Sequence, residues 1–305
     1  MKATTAVLCP ESDALTRSRL VDYVALTKPR IALLVLFTVA AGAMLAGGPA
    51  LTPLLVLHTV LGTALVAAGA SSLNQLLERH TDALMQRTEN RPLPAGRLQP
   101  MEVLVFGTLM GVIGIAWLAL ALKQPCAPLV AAFTFAAYVW IYTPLKRQTP
   151  WNTLIGAVPG ALPPVIGWTA VTGTLDLGAA ALFLIVFLWQ MPHFLAIAWI
   201  YRDDYARAGM RMIPVGDRGG VRTRRHMVAF ALALVPAALL PMLLHRTGPV
   251  YLVGAVLLGL WFLATTIAFA RDVSTARARR VLRASLVYLP GLLAVLLLDV
   301  VARTL

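Results

Sequence analysis

Charged residues are scarce in this sequence of 305 residues: they make up 13%, against 59% hydrophobic residues and a mean hydropathy of +0.78. So little charge excludes an ordinary soluble domain. Cysteine is nearly absent too, and Cys9 and Cys126 lie in unlike settings, so no disulfide or cysteine metal site is indicated. The first 20 residues lack an apolar segment and contain Glu11 and Asp13, which predicts a cytosolic tail rather than a signal peptide.

Long apolar runs are what the sequence has in abundance. Runs of roughly 20 apolar residues are typical of transmembrane helices. We predict an all-α, polytopic membrane protein with about nine transmembrane helices around a central chamber. The chain is predicted to form one domain over residues 1–305, with residues 1–28 forming a cytosolic tail. The predicted spans are roughly 30–48, 53–77, 101–122, 126–143, 152–170, 178–200, 226–245, 249–270 and 284–302.

The basic residues determine the predicted topology. The net charge of +13 could indicate nucleic-acid binding, but the Lys and Arg residues lie between the apolar spans, as the positive-inside rule predicts, so we exclude a nucleic-acid partner. With an odd number of spans, 23 of the 26 basic residues fall on one side, and only Lys123, Arg246 and Arg303 fall on the other. We therefore predict a cytosolic N-terminus and a C-terminus on the opposite side of the bilayer.

Two long loops, 78–100 and 201–225, follow spans two and six. These spans are four apart and run in the same direction, so both loops lie on the cytosolic side. Both spans end in acidic residues. The topology predicts two four-helix halves and a final helix, with the two acidic loops facing each other.

The end of span two carries Asn74, Glu78 and Asp82 at spacings of four residues. On a helix this spacing places all three on one face. Oxygen ligands at a membrane boundary suit a hard cation such as Mg²⁺, which usually arrives with phosphate oxygens, so the face predicts a phosphorylated, lipid-like substrate. Arg87 and Arg91 would bind the phosphate oxygens that the metal leaves free. The alternative is a set of charges that only solvates a helix end.

The second acidic segment contains Asp203 and Asp204 directly after span six. Adjacent residues point to different faces of a helix, so at most one of them faces a metal. We predict Asp204 as the metal ligand. The alternative is an interfacial salt bridge from Asp204 to Arg207 or Arg211.

A third segment joins spans four and five. Pro144 is predicted to end span four, and Pro150 to interrupt the chain before span five. Lys146 and Arg147 between them could bind a leaving diphosphate, although a Lys-Arg pair in a cytosolic loop is also an ordinary topology signal. Tyr142 could shield a cation with its ring, or be an ordinary interfacial aromatic residue.

His193 lies inside span six, roughly 12 Å from its cytosolic end at 1.5 Å per residue. An ionisable side chain at that depth is costly and indicates function. It could be a ligand to haem iron, a base or a hydrogen-bond donor, or a neutral residue bonded to carbonyls freed by Pro192. The Gly- and Pro-rich stretch 156–168 predicts a kinked span five that allows close helix contact or opens a cavity.

Four blocks of sequence together resemble the UbiA-type superfamily of intramembrane prenyltransferases, and within it the family of protohaem IX farnesyltransferases, or haem O synthases. The blocks are residues 74–91, 142–168, 192–199 and 203–214. The first marks the superfamily, and the second and third mark the haem family. The second acidic motif departs from the Asp-x-x-x-Asp of the wider superfamily, because Arg207 and Ala208 stand where the second Asp would be. This departure predicts one firmly held Mg²⁺ and more neutralisation by arginine.

The resemblance implies a reaction in which farnesyl diphosphate alkylates the 2-vinyl group of haem B, giving the hydroxyethylfarnesyl chain of haem O, with Mg²⁺ as cofactor. It implies a multi-pass protein of the inner (plasma) membrane, and partners in terminal-oxidase haem insertion or haem A synthesis. The implied catalytic residues are Asn74, Asp82, Lys146 and Tyr142; the substrate-binding residues are Arg87, Arg91, Arg147 and His193; the metal ligands are Asn74, Glu78, Asp82 and Asp204.

Two other functions compete with this one. A prenyltransferase acting on an aromatic quinone precursor would share the acidic faces but would not need a deep histidine. A transporter for an anionic lipid or a metal would have its site near the bilayer midplane, whereas these acids sit at one boundary.

Overall fold

The computed structural model describes residues 18–47 and 51–304, and all of the regular structure in this part of the chain is helical. Most of the predicted tail, Cys9 included, lies outside the described residues. The helices are α1 (Arg19–Leu26), α2 (Pro29–Ala46), α3 (Pro53–Leu77), α4 (Arg79–Asp82), α5 (Pro100–Ala121), α6 (Cys126–Ala136), α7 (Thr143–Leu145), α8 (Asn152–Gly160), α9 (Pro163–Thr172), α10 (Leu177–Ile200), α11 (Arg202–Arg207), α12 (Val221–Ala237), α13 (Leu240–Leu243), α14 (Pro249–Arg271) and α15 (Thr275–Thr304).

Nine helical segments in the described ranges are long and apolar enough to cross a membrane, as predicted. They are α2, α3, α5, α6 with α7, α8 with α9, α10, α12 with α13, α14 and α15. Two predicted starts are wrong: the seventh span begins at Val221 rather than 226, and the ninth helix at Thr275 rather than 284. Hydropathy marks only the part of a helix that lies in lipid, whereas arginine-rich turns are good helix formers and extend both helices beyond the membrane.

The spans form one closed bundle. Each packs against the next along the chain, and α15 returns to pack against α2. The two halves of span five and span six are the most enclosed, and α9 contacts α2, α3, α6 and α10. The loops that follow α3, α7 and α10 therefore meet at one end of the bundle.

Span five is kinked, as predicted. Helix α8 ends at Gly160, and α9 begins at Pro163 after a break at Ala161 and Leu162. Pro163 is the first residue of α9, where a backbone N–H would have no partner within the helix. Proline therefore begins the second half of span five without losing a hydrogen bond. The kink lets α9 turn inward against α2.

Span four ends at Leu145, one residue beyond the end predicted at Pro144. The chain passes from α6 through a π-helical stretch, Ala137–Tyr142, into α7. Pro144 lacks the N–H for an α-helical bond, and the widened turn before it accommodates this. The hydroxyl of Thr143 donates to the Tyr138 carbonyl at 2.8 Å. The span therefore delivers Tyr142, Thr143 and Lys146 to the end of the bundle.

Close helix contact depends on small residues. Helices α3 and α5 cross at Gly69, where a Cβ would collide with the backbone of Gly107 and Gly111. In lipid, helices associate by van der Waals packing and gain little from apolar burial alone, so small residues at a crossing bring backbones together. This crossing fixes α3, the helix that carries Asn74.

Asp299 near the end of α15 caps the start of α14, and Asp299→Ala should lower stability. The carboxylate is 1% exposed and accepts hydrogen bonds from the backbone N–H groups of Gly248 and Tyr251. Its loss leaves buried donors without a partner, at a cost of about 1–3 kcal/mol. A lower unfolding temperature in detergent would show this. Asp272→Ala, at the exposed opposite end of α14, is the control, and equal losses in both variants would contradict the cap assignment.

Candidate active site

Asn74, Glu78 and Asp82 lie on one face, although the helix that carries them is interrupted. Helix α3 ends at Leu77, and Glu78 separates it from α4. The N–H of Glu78 still donates to the Asn74 carbonyl at 3.0 Å, and the N–H of Asp82 to the Glu78 carbonyl at 2.7 Å. These two four-residue bonds preserve the predicted spacing. All three side chains are buried, with Asp82 1% exposed.

Each of the three residues is matched by a cation from a different part of the chain. Lys146 Nζ lies 2.6 Å from Glu78 Oε1, and Arg91 Nη1 donates to Asp82 Oδ2 at 2.7 Å. Lys28 Nζ donates to the Asn74 side-chain oxygen at 3.3 Å. The site therefore brings positive charge from the start of span one and the loops after spans two and four onto one oxygen-rich face.

Two carboxylate oxygens remain without a hydrogen bond. Asp82 Oδ1 is buried and has no partner, and Glu78 Oε1 has only the close charge of Lys146, without hydrogen-bond geometry. Buried anionic oxygens without donors are costly unless a cation meets them. Such oxygens, with the amide oxygen of Asn74, are the ligand types that Mg²⁺ prefers, so these residues fit a magnesium ion.

The pKa values at this end of the bundle reflect strong electrostatic coupling. Burial, together with the charges of Arg91 and Lys146, lowers the pKa of Lys28 to about 7. Burial raises the pKa of Asp82, and Arg91 only partly opposes this. Burial alone would lower the pKa of Lys146, but the adjacent Glu78 carboxylate and the Tyr142 and Tyr138 side chains together raise that pKa overall. An arriving anion would therefore meet a site with an excess of positive groups.

Two tyrosine rings lie beside Lys146. Its Nζ is 4.6 Å from the centroid of the Tyr142 ring, and the Tyr138 ring lies 5.4 Å from that ring. A Cβ on Gly156 of α8 would collide with the Tyr142 ring, so that glycine allows the ring to pack closely against α8. The ring face already holds one cation and is suited to another.

The predicted phosphate-binding arginines occupy three different positions. Arg91 binds Asp82. Arg87 donates to the Tyr205 hydroxyl at 2.8 Å and lies over the rings of Tyr201 and Tyr205, so it connects the two long loops. Arg147 is exposed, and no side-chain contact to the carboxylates is seen in the part of the chain that the structure describes. Its role in substrate binding stays a prediction.

Asp204 does not join the first acidic face in this structure. Span six ends at Ile200, so Asp204 lies on the separate helix α11, where it is buried and pairs with Arg207. Within residues 18–47 and 51–304, no three His, Cys, Asp or Glu side chains are grouped to hold a metal ion. The predicted set of four metal ligands is therefore not assembled, and the alternative salt bridge to Arg207 is what forms. The break after Ile200 turns the chain away from the face assumed for a continuous helix.

The loops after spans four and six are joined by backbone bonds. The N–H of Arg211 donates to the Lys146 carbonyl at 2.9 Å, and the Asn152 side chain donates to the Arg211 carbonyl at 2.8 Å. These bonds position the backbone of Lys146. They connect the loops after spans four and six, while the bond from Arg87 to the Tyr205 hydroxyl connects the two predicted loops, 78–100 and 201–225.

His193 meets helix α15 rather than the backbone near Pro192. Its Nδ1 lies 2.7 Å from the hydroxyl oxygen of Ser285, and its ring stacks on Trp189 with centroids 5.1 Å apart. The alternative in which the imidazole bonds to carbonyls freed by Pro192 is therefore wrong.

Sequence reasoning missed Lys28, Thr143 and Ser285. Thr143 accepts a hydrogen bond of 3.1 Å from the Asn74 side-chain amide, and Lys28 adopts a left-handed conformation with φ of 49°. In the sequence, Lys28 is only the last residue of the predicted tail, 1–28. Its place directly before Pro29, where the α-helical conformation is disfavoured, was the available signal. Nothing in the sequence distinguishes Ser285 from an ordinary helix serine.

Comparison with known proteins gives one consistent result. The model of the UbiA prenyltransferase family matches residues 35–289. A "Protoheme IX farnesyltransferase" of Solibacter usitatus is 45% identical over 287 residues, covering 91% of this chain and 98% of that protein. A solved digeranylgeranylglyceryl phosphate synthase superposes with a TM-score of 0.77 at 15% identity, covering 93% of this chain and 99% of the other. A solved UbiA homolog from Archaeoglobus fulgidus, bound to GPP and Mg²⁺, superposes with a TM-score of 0.63 at 18% identity. The match covers 90% of this chain and 99% of that chain.

Proposed function

Because the chain belongs to the UbiA prenyltransferase family, we propose that it transfers the farnesyl group of farnesyl diphosphate to the 2-vinyl group of haem B, giving haem O. The acceptor follows from the protein of Solibacter usitatus, which bears the name protoheme IX farnesyltransferase and matches over nearly its whole length. A prenyl diphosphate as the donor is supported by the cations and oxygen ligands of the site and by the solved UbiA homolog that binds GPP and Mg²⁺.

The observation that carries the proposal is the buried face of Asn74, Glu78 and Asp82, with three cations aligned along it. Arg91 pairs with Asp82 and Lys146 with Glu78, while Asp82 Oδ1 has no partner. A diphosphate would take over Lys28, Arg91 and Lys146, because charge-assisted bonds to phosphate oxygens are strong. Glu78 and Asp82, released in this way, would be free to hold a metal.

The site residues would act mainly on the leaving group. The allylic C–O bond of farnesyl diphosphate breaks readily only when the departing diphosphate is neutralised. Lys146, Arg91 and Lys28 would bind its oxygens, and Asn74, Glu78 and Asp82 would hold Mg²⁺. A bound Mg²⁺ supplies Lewis-acid neutralisation of phosphate charge. One firmly held ion suits two carboxylates and an amide, and Asp204 would contribute only if its pair with Arg207 opened.

The farnesyl cation needs shielding until the acceptor attacks. Tyr142 presents its ring face to Lys146, and the Tyr138 ring lies against the Tyr142 ring; a ring face stabilises a cation that is excluded from water. The haem vinyl group would then form the new C–C bond, and water would add to the cation left beside the porphyrin and lose a proton. His193, deeper in the bundle, would contact the porphyrin.

The test is mass spectrometry of haems after incubation of the purified protein with haem B, farnesyl diphosphate and Mg²⁺. We expect haem O, heavier than haem B by one farnesyl group and one hydroxyl group. Two further incubations address the alternatives. Prenylation of a phenolic acid in place of haem would favour the quinone-precursor function, and metal-dependent flux in proteoliposomes without product would favour a transporter.

The proposed orientation has its own test. We expect a reporter fused after Leu305 to be active only on the non-cytosolic side, and a reporter inserted within residues 216–221 to be active only on the cytosolic side, because most basic residues flank the cytosolic loops. The multi-pass bundle would lie in the plasma membrane. A cytosolic signal from both positions would contradict the orientation.

A further inference from the structure

Ser285 fixes which nitrogen of His193 carries the proton. The Ser285 hydroxyl donates its one hydrogen to the Leu282 carbonyl at 2.7 Å. The same oxygen lies 2.7 Å from Nδ1 of His193, so in that contact it accepts. Because the Leu282 carbonyl can only accept, this geometry assigns the proton to Nδ1 and leaves the lone pair of the neutral imidazole on Nε2. In the described part of the chain, Nε2 has no hydrogen-bond partner.

The ring is also held in place. Trp189, one turn earlier on α10, stacks on His193 with centroids 5.1 Å apart and an angle of 25° between the rings. The indole N–H of Trp189 donates to the Ser285 carbonyl at 2.8 Å. Phe194 meets the imidazole edge-on at 5.4 Å. One serine on α15 thus anchors both aromatic side chains of α10, and the imidazole cannot rotate without breaking its bond to Ser285.

A histidine that binds a metal through Nε2 usually donates its Nδ1–H to a hydrogen-bond acceptor. That hydrogen bond sets the tautomer and raises the basicity of Nε2. No carboxylate contacts His193 in the described residues, so a hard cation such as Mg²⁺ is not favoured here. Haem iron can be held by a single imidazole, so the free Nε2 of His193 fits haem iron.

We propose that Nε2 of His193 coordinates the iron of the haem substrate, and that Ser285 is the positioning residue that holds the imidazole for it. This inference rests on the proposed function, since it takes haem as the acceptor. His193 lies seven residues before the end of α10, roughly 10 Å below the cytosolic end of that helix. Iron ligation at that depth would anchor the haem within the bundle.

The test uses the full-length protein in detergent with ferric haem and without farnesyl diphosphate, followed by absorption and EPR spectra. The wild type should give the spectrum of a histidine-ligated haem. His193→Ala should lose that spectrum, and added imidazole should restore it. Ser285→Ala should still show histidine ligation, but its affinity for haem should fall by about 10-fold or more. The resonance Raman spectrum of the reduced variant should show a changed iron–histidine stretch. Ser285→Thr should restore both the affinity and the stretch.

His226 is the matched control, because its Nδ1 also lies 2.7 Å from an oxygen, the Arg222 carbonyl, outside the core of the bundle. His226→Ala should leave the spectrum unchanged. Loss of ligation in His226→Ala, or an unchanged spectrum in His193→Ala, would overturn the proposal. If the wild type makes haem O while His193→Ala keeps the wild-type spectrum, only the ligation is wrong. If the wild type neither binds nor converts haem, the proposed function fails, and this inference fails with it.

Discussion

Asp82→Asn and Glu78→Gln are each expected to reduce farnesyl transfer by on the order of 10²–10³-fold while the protein remains folded in the membrane. Each change keeps the shape of the side chain and removes one negative charge. Asp82 Oδ1 is a buried oxygen with no donor, and an amide there would offer a weaker ligand to a hard cation. Turnover should therefore fall at saturating Mg²⁺, and more steeply at low Mg²⁺.

The measurement is the rate of haem O formation across a Mg²⁺ titration, with EDTA expected to stop the wild-type reaction and added Mg²⁺ to restore it. Asp203→Asn is the matched control, because that carboxylate has 88% of its side chain exposed and lies in the other acidic loop. It should behave like the wild type. Near-normal rates for both Asp82→Asn and Glu78→Gln at every Mg²⁺ concentration would rule out the metal assignment.

Much of the fold could be predicted from the sequence because lipid imposes a strong requirement on it. Nine apolar runs became nine spans in the described ranges, and the kink in span five followed from its prolines and glycines. The errors fall where helices leave the membrane. Hydropathy does not register that the arginine-rich turn at Thr275 continues as helix, nor that Pro144 is accommodated by a π-helical stretch.

The site was predictable where its residues share one helix face, and not where they come from distant segments. Spacing placed Asn74, Glu78 and Asp82 together, and their backbone bonds bear this out. Spacing could not reveal that Lys28 reaches Asn74, since the two are separated by 46 positions and two helices. The break after Ile200 also redirected Asp204, because a periodic argument assumes a continuous helix. Contacts between segments depend on packing, which one-dimensional patterns do not contain.

Lys146→Gln should also reduce farnesyl transfer strongly. The KM for farnesyl diphosphate should rise and kcat should fall, so that kcat/KM drops by about 10²-fold. Lys146 has 14% of its side chain exposed, lies beside Glu78 and faces the Tyr142 ring, so its charge is only partly screened and would act directly on the leaving oxygens. The backbone bond from Arg211 to the Lys146 carbonyl does not depend on the side chain, so the connection between the loops after spans four and six should stay in place.

The double variant Lys146→Gln with Glu78→Gln separates two explanations for that loss. If Lys146 only neutralises Glu78, removing both charges should restore much of the binding of farnesyl diphosphate, measured by calorimetry without Mg²⁺. If Lys146 binds phosphate, as we expect, the double variant should bind no better than Lys146→Gln alone. Arg147→Gln is the neighbouring comparison: Arg147 is exposed, so screening by water and salt should limit its effect on KM to a few-fold. A loss equal to that of Lys146→Gln would mean that Arg147 turns inward when the substrate binds, and that both residues bind the diphosphate.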